Sequence, residues 1–541
     1  MIGYLKDKMI VLLYLVSLLT RFIFLFYGYP SITHDEADYF LNSYLLAKTG
    51  SDIFNQKFFL TSGILNATSS IPVYIGSFVY HFLDKSTIAG RLPYAILNSL
   101  IPVLFYLILN KLTKNKTLSL IGFIVLNFSP WFSYLSSMSA IDAPTALVLY
   151  LASVYALLKK IKPIYKNSLF LFFSFLSFNS YMGIKTIFLY LVFIALLSKD
   201  IYDKNKITFK STALNFFYSF IIFASLLVIT WNSPTNQYFQ NRLKDKILLL
   251  NTNHISKTVD SLREMSLGQK HIRYLLHNKL TVGVSMFLER YIQAFSPNIL
   301  FVKGDSNPLY GTGYFGLFYL FDGIFLIFGL LFAYKLFKSP LIQVPFILIL
   351  ITTPFAVGIM VDGATISLRG HPLIIGYSFF ISVGIYYLLS KLIKKHNLFL
   401  GITASIYILG FIYFFILFKT TIRFTSGEQW HINEKNLIAK ILLMEKKSNN
   451  KIFVYVNDPK ETMLLYLFYK EKDAQKIKKI ISSNKFVVNN ISFSDKCPQE
   501  KISESIQIIH SERCPINNQI FKTKDFIYPE IPKGSKYFLL Y

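Results

Sequence analysis

Thr33-His34-Asp35-Glu36-Ala37-Asp38 follows directly on an apolar run at 9–27, and that pairing decides how the chain is read. A run of roughly 17–25 apolar residues crosses a hydrocarbon core as helix. The acidic knot behind it is therefore expected just outside the bilayer. Carboxylates at such a place can be no more than solvated rim, but the rest of the chain supplies partners for these.

Working outward, the 541 residues are 53% hydrophobic and 17% aromatic, with a mean hydropathy of +0.44. Those values belong to an integral membrane protein. Apolar runs recur at 9–27, 92–112, 118–135, 143–158, 169–181, 184–197, 213–231, 314–334, 341–361, 373–389 and 398–418. They predict an all-α polytopic membrane bundle of about eleven transmembrane helices, three of them short enough to be tilted or paired within the bundle. The first run has no small-residue cleavage site and reads as a retained helix rather than a signal peptide.

Lysine sets the orientation, because short cytoplasmic loops keep positive charge during insertion. Lys6 and Lys8 precede the first run; Lys111, Lys114 and Lys116 follow the second; Lys159, Lys160, Lys162 and Lys166 follow the fourth. Lys199, Lys204, Lys206 and Lys210 continue the series, then Lys335 and Lys338, then Lys391, Lys394 and Lys395. A cell-membrane, multi-pass protein with a cytoplasmic amino terminus is expected, and everything beyond residue 418 is expected outside. Much of the net charge of +27 is accounted for by these connections, where it meets anionic lipid; nucleic acid is excluded as a partner.

The chain divides into a helical membrane part, 1–420, and a small extracytoplasmic α/β carboxy-terminal domain, 421–541. The latter carries β-rich runs at 452–456, 486–491, 505–509 and 537–541 around a helix at 460–472. Asn457-Asp458-Pro459 reads as the capping turn of that helix. Cys497 and Cys514, the two cysteines, both lie in this segment, where oxidation can join them.

An ionisable residue inside a span is costly and by default a pointer to function. Arg91 opens the second run, Asp142 the fourth and Lys185, beside Tyr181, the sixth; Arg369 and His371 open the tenth. With Asp35 and Glu36, all fall at one depth on the outer side. Taken singly, each could be an interfacial anchor; together they predict one pocket facing outward. Asp322 lies deeper in the eighth run, without an assigned role.

Acidic groups opposite basic ones at the outer surface suit a lipid-phosphate donor. Its polyprenyl tail would lie between helices, its phosphate would meet Lys and Arg, and its sugar would project outward. A carboxylate can take the proton from an acceptor hydroxyl while the cations stabilise the departing phosphate. The chain has no phosphate-binding glycine loop ending in Lys-Ser or Lys-Thr.

At this point the sequence resembles a known family, the GT-C membrane glycosyltransferases, and within them the family-39-like relatives of protein O-mannosyltransferases and the lipid A aminoarabinose transferase. The resemblance covers roughly residues 9 to 390. It rests on His34-Asp35-Glu36-Ala37, Thr49-Gly50-Ser51-Asp52, Pro72 and Tyr74 before Gly90-Arg91-Leu92-Pro93, Ser129-Pro130-Trp131, Asp142-Ala143-Pro144, and Ser180-Tyr181 with Lys185. Phe295-Ser296-Pro297-Asn298-Ile299-Leu300-Phe301, Gly304-Asp305 and Arg369-Gly370-His371-Pro372 complete it. The likeness implies inverting transfer from a polyprenyl-phosphate-linked sugar to a protein, lipid or glycan acceptor. Asp35 would be the catalytic base and Glu36 its partner, Asp142 would orient acceptor or donor, and Lys185, Arg369, Arg91, Tyr181 and His371 would surround the donor phosphate. Where many relatives carry an Arg shortly before the Asp142 position, this chain has Ser136-Ser137-Met138-Ser139.

No cofactor is required by such chemistry and no metal site is assigned. His34, Asp35, Glu36 and Asp142 can coordinate a hard divalent metal, but no ligand spacing demands one. Rival functions are an oligosaccharide ligase or polymerase acting on lipid-linked glycans, which would use similar groups, and a lipid-linked-sugar transporter or flippase. The last would place charges and broken helices near the midplane, where only Asp322 comes close. A membrane-anchored binding or assembly protein would leave the Asp35 loop replaceable.

Overall fold

The computed structural model describes residues 2–29, 31–56, 69–136, 142–204, 206–232, 247–248, 251–307, 309–311, 313–337, 339–361, 365–392, 396–422, 430–447, 449–483, 485–498, 502, 505–510, 514, 523–527 and 537–540. Of the residues named above, Ser137, Met138, Ser139, Lys338, Lys394 and Lys395 lie outside that set.

The chain is mostly helical, and each of the apolar runs contributes a helix. Among the described residues, six helical stretches are long and apolar enough to cross a membrane: Lys8–Tyr27, Thr87–Thr113, Phe209–Thr230, Pro340–Gly358, Leu373–Lys391 and Asn397–Thr421. Others, such as Lys116–Phe128 and Asp142–Leu158, are shorter.

Several runs are interrupted where backbone chemistry requires it. The run at 118–135 breaks at Ser129-Pro130, because proline has no N–H to continue the ladder; the Ser129 hydroxyl caps the next turn by accepting from the Phe132 N–H at 3.2 Å. The run at 341–361 stops its first helix at Thr352, just before Pro354. The run at 184–197 begins as a 3-10 turn, Gly183–Thr186, and becomes an α-helix only at Phe188. In the run at 314–334 the helix starts at Asp322, so that this residue stands at a helix start rather than deep in a span.

By internal packing the chain forms two compact units, Met1–Phe22 with Ala95–Phe414 and Ile23–Tyr94 with Phe415–Tyr541. The first unit is helical. Its helices Asp322–Leu336 and Leu373–Leu392 approach closely at Gly329 and Gly384, where a Cβ on either would strike the Phe380 or Phe325 carbonyl of the facing helix. Its helix Phe209–Thr230 leaves Phe216, Phe217, Tyr218, Phe220 and Ile221 exposed, a face suited to lipid.

In the second unit, helix His34–Thr49 packs against Ser70–Tyr80 and against Pro459–Lys470 and Ala474–Ser483. A mixed six-stranded sheet completes it, formed by β1 (Lys451–Tyr455), β2 (Val487–Val488), β3 (Ile491–Ser494), β4 (Ser505–His510), β5 (Thr523–Ile527) and β6 (Tyr537–Leu540) in the order β2-β3-β1-β4-β6-β5. β1 runs parallel to both β3 and β4, and the remaining pairings are antiparallel. The predicted turn is present: the Asp458 carboxylate accepts from the Glu461 N–H at 2.9 Å with Pro459 opening the helix. Cys497 and Cys514 are disulfide-bonded. Helices Ile432–Lys447 and Ala474–Ser483 and strand β5 had no counterpart in the sequence reading.

Candidate functional site

The second unit brings Asp35, Glu36 and Arg91 together at one helix start. Thr33 and Glu36 form a reciprocal capping box: the Thr33 hydroxyl accepts from the Glu36 N–H at 3.1 Å, and the Glu36 carboxylate accepts from the Thr33 N–H at 3.1 Å. Such a box satisfies two of the backbone donors that every helix start leaves open. The same carboxylate accepts from Arg91 Nε at 2.7 Å and from its Nη2 at 2.6 Å. Arg91 also donates to the Ser31 carbonyl at 2.6 Å, and its guanidinium lies 5.5 Å from the Tyr29 ring centroid and 5.7 Å from that of Trp430. Both members of the pair are buried.

Glu36 and Arg91, read separately from sequence as a partner of the base and a phosphate ligand, are thus each other's partner. Asp35, on the same turn, keeps 36% of its side chain accessible. An accessible carboxylate on a backbone pinned by a buried bidentate pair is a well-positioned acceptor for a proton.

Beside it stands a cluster of imidazoles and carboxylates that sequence spacing did not reveal. His34 Nε2 lies 3.3 Å from Asp35 Oδ1, and its Nδ1 lies 3.6 Å from Glu461 Oε1. His431 Nε2 lies 3.1 Å from that same Glu461 oxygen, and its Nδ1 is 3.6 Å from Glu434 Oε2. Burial alone would lower the His431 pKa, but Glu434 and Glu461 outweigh it and raise it to about 10. Burial would raise the Glu461 carboxyl, yet His431 and His34 bring it below its ordinary value.

The first unit carries the remaining candidates on three segments. Asp142 heads helix Asp142–Leu158, its carboxylate accepting from the Ala143 N–H at 2.8 Å. Tyr181 precedes the 3-10 turn and Lys185 lies within it, both mostly buried, with Lys185 Nζ 4.9 Å from the centre of the Phe178 ring. The Tyr181 ring lies across Gly183, where any Cβ would collide with it. Arg369, partly exposed, ends the short helix Ile366–Arg369, and His371 is buried with its ring 6.2 Å from Trp131.

Asp305 holds that last segment in place. Its carboxylate accepts from the Ser367 N–H at 3.1 Å, the Ser367 hydroxyl at 2.9 Å and the Asn307 N–H at 3.0 Å. Burial raises its pKa, and those hydrogen bonds oppose the rise. Trp131 Nε1 donates to the Ser367 carbonyl at 2.9 Å, so the Ser129-Pro130-Trp131 and Gly304-Asp305 motifs meet at one turn.

Arg21 was missed by the sequence reading although an arginine in an apolar run is itself a signal. It is buried, donating to Ser136 Oγ at 2.6 Å and the Asn127 carbonyl at 2.7 Å, with its guanidinium 4.1 Å from the Phe132 ring centroid. Asp322 is likewise structural: it accepts from the Tyr407 hydroxyl and from the Tyr319 N–H, the latter at 3.0 Å.

The fold is of the GT-C type that the sequence resemblance implies. In particular, ArnT from Cupriavidus metallidurans bound to undecaprenyl phosphate is similar over 98% of both chains, with a TM-score of 0.51 and 11% identity. The oligosaccharyltransferase AglB from Archaeoglobus fulgidus, in complex with an inhibitory peptide and a dolichol-phosphate, matches with a TM-score of 0.43 and 14% identity over 86% of this chain and 64% of that one. The apo form of the Archaeoglobus fulgidus oligosaccharyltransferase gives 0.47 and 11% over 94% and 70%. No family model and no curated protein sequence matches the chain.

Proposed function

We propose that the protein is a multi-pass membrane glycosyltransferase that moves a sugar from a polyprenyl-phosphate donor to an acceptor hydroxyl outside the cytoplasm, with inversion. The acceptor oxygen attacks the anomeric carbon, the bond from that carbon to the phosphate oxygen breaks, and the hydroxyl proton passes to Asp35. Lipid phosphate departs with the bonding electron pair, stabilised by Lys185 and Arg369, with Tyr181 and His371 shaping their surroundings and Asp142 orienting the reactants. Glu36 and Arg91 serve by fixing the helix start that carries Asp35. Residues 1–420 hold the transferase bundle of about eleven spans, the amino terminus is cytoplasmic, and residues 421–541 lie outside.

What carries this assignment is the end-to-end likeness in fold to a protein crystallised with undecaprenyl phosphate, together with an accessible carboxylate held by a buried ion pair. The experiment is transfer by purified protein from polyprenyl-phosphate sugars to a mixed set of acceptors. Asp35→Asn should reduce transfer by about 10²–10⁴-fold, the usual worth of acid–base assistance. Lys185→Met and Arg369→Met should weaken donor use more than acceptor use. Unaltered transfer by Asp35→Asn would remove the base from the mechanism.

A further inference from the structure

We propose that His34, His431 and Glu461 form a zinc site that ties the start of the Asp35 helix to the carboxy-terminal segment. Each offers one ligand atom, and the three atoms lie within 4.8 Å of one another. Zinc bonds of about 2.0–2.2 Å in tetrahedral array place neighbouring ligand atoms roughly 3.3–3.5 Å apart. Glu461 Oε1 is already 3.6 Å from His34 Nδ1 and 3.1 Å from His431 Nε2.

The surroundings match those of a metal site. A metal-bound imidazole usually directs its second nitrogen to a carboxylate, which fixes the ring and strengthens the ligand. Both histidines do so here: His34 Nε2 faces Asp35 at 3.3 Å and His431 Nδ1 faces Glu434 at 3.6 Å. Glu434 is in turn 3.4 Å from the Tyr537 hydroxyl. Each imidazole thus stands between an outer carboxylate and the one Glu461 oxygen that both share, which places the two inner nitrogens and that oxygen around a single point. His431 Nε2 is moreover buried without an aligned hydrogen bond.

Two imidazoles and one carboxylate favour zinc over calcium or magnesium, which take oxygen ligands. Three protein ligands also leave a fourth position for water or an anionic oxygen. All three residues belong to the second compact unit, so the site stands whether or not the transferase assignment does.

The test is zinc binding by the full-length protein in detergent, stripped of metal and titrated against a chromophoric chelator. One zinc per chain is expected, with His431→Asn and Glu461→Gln each weakening it by at least about 100-fold and Glu434→Gln, which alters only the outer carboxylate, by about 10–100-fold. Cobalt should give the visible bands of a tetrahedral site in the unaltered protein and lose them in His34→Asn. Absence of zinc binding by the unaltered protein, which requires no variant to fold, would overturn the site. Equal affinity in the three zinc-titrated variants would do the same and leave an ion-pair cluster only.

Discussion

The Glu36–Arg91 pair has its energetic meaning in what happens when it is halved. Removing one partner of a buried pair leaves an uncompensated charge and costs about 3–5 kcal/mol, whereas replacing both by apolar groups is often neutral. Glu36→Gln and Arg91→Met should therefore each lower stability by about that amount, and the double replacement Glu36→Met/Arg91→Met should recover most of it. Chemical or thermal unfolding in detergent measures this; additive losses would mean that the pair does not act as a unit. Transfer should fall even where stability is recovered, because the capping-box glutamate would still be missing. The residues themselves could be picked out of the sequence as ionisable groups bordering apolar runs. Which of them faced the solvent and which faced each other could not, since both kinds look alike in a one-dimensional string.

Between helices, two features lend themselves to measurement. A methyl group at Gly329 or Gly384 would meet a facing backbone carbonyl, which cannot rotate away as a side chain can. Gly329→Ala and Gly384→Ala should destabilise the first unit by about 1–3 kcal/mol or more, read as earlier unfolding or lower yield; tolerance of both would mean that the two helices readily separate. In the second unit, Lys85 Nζ donates to the Leu467 and Glu471 carbonyls at 2.6 Å each, near the carboxy-terminal end of helix Pro459–Lys470, and lies 5.2 Å from the Tyr44 ring centroid. Burial lowers its pKa to about 7, with Glu471 opposing the fall.

A base whose folded pKa lies below its unfolded value of 10.5 holds fewer protons folded than unfolded in that interval. Stability attributable to Lys85 then rises with pH between about 7 and about 10.5. The difference in melting temperature between the unaltered protein and Lys85→Met should move in favour of the unaltered protein from about pH 6 to about pH 9, and a flat difference would show that Lys85 stays charged.

At the scale of the molecule, the carboxy-terminal segment shares a compact unit with residues 23–94. Helix Pro459–Lys470 buries Met463, Leu464, Leu465, Tyr466, Leu467 and Phe468, and Phe40 from helix His34–Thr49 lies 5.8 Å from Phe468 between ring centroids. Tyr44 donates to the Lys472 carbonyl at 2.5 Å, and the Ser31 and Tyr469 hydroxyls are 3.0 Å apart. A fragment of residues 421–541 alone would expose that apolar face. It should melt without a sharp transition or aggregate even with its disulfide intact, as followed by circular dichroism and light scattering. Sharp cooperative unfolding of the isolated fragment would show that the segment folds by itself.

Hydropathy was sufficient for a helical membrane protein, because the cost of burying charge in lipid writes itself into run length, whereas the GT-C likeness rested on motifs such as His34-Asp35-Glu36-Ala37 and Gly90-Arg91-Leu92-Pro93. The Asp458 cap and most strands could also be read locally, the cap because its side chain bonds backbone three residues on and the strands because β-rich runs stand out in a polar segment. The breaks at Ser129-Pro130 and Pro354 were also written in residue chemistry, though the apolar pattern hid them. The partnership of Glu36 with Arg91, the Asp305–Ser367 clamp and the meeting of His34 with His431 and Glu461 depend on distances between segments far apart along the chain. Only packing sets those distances, because side-chain chemistry names what can pair and the fold alone decides what is close enough to do so.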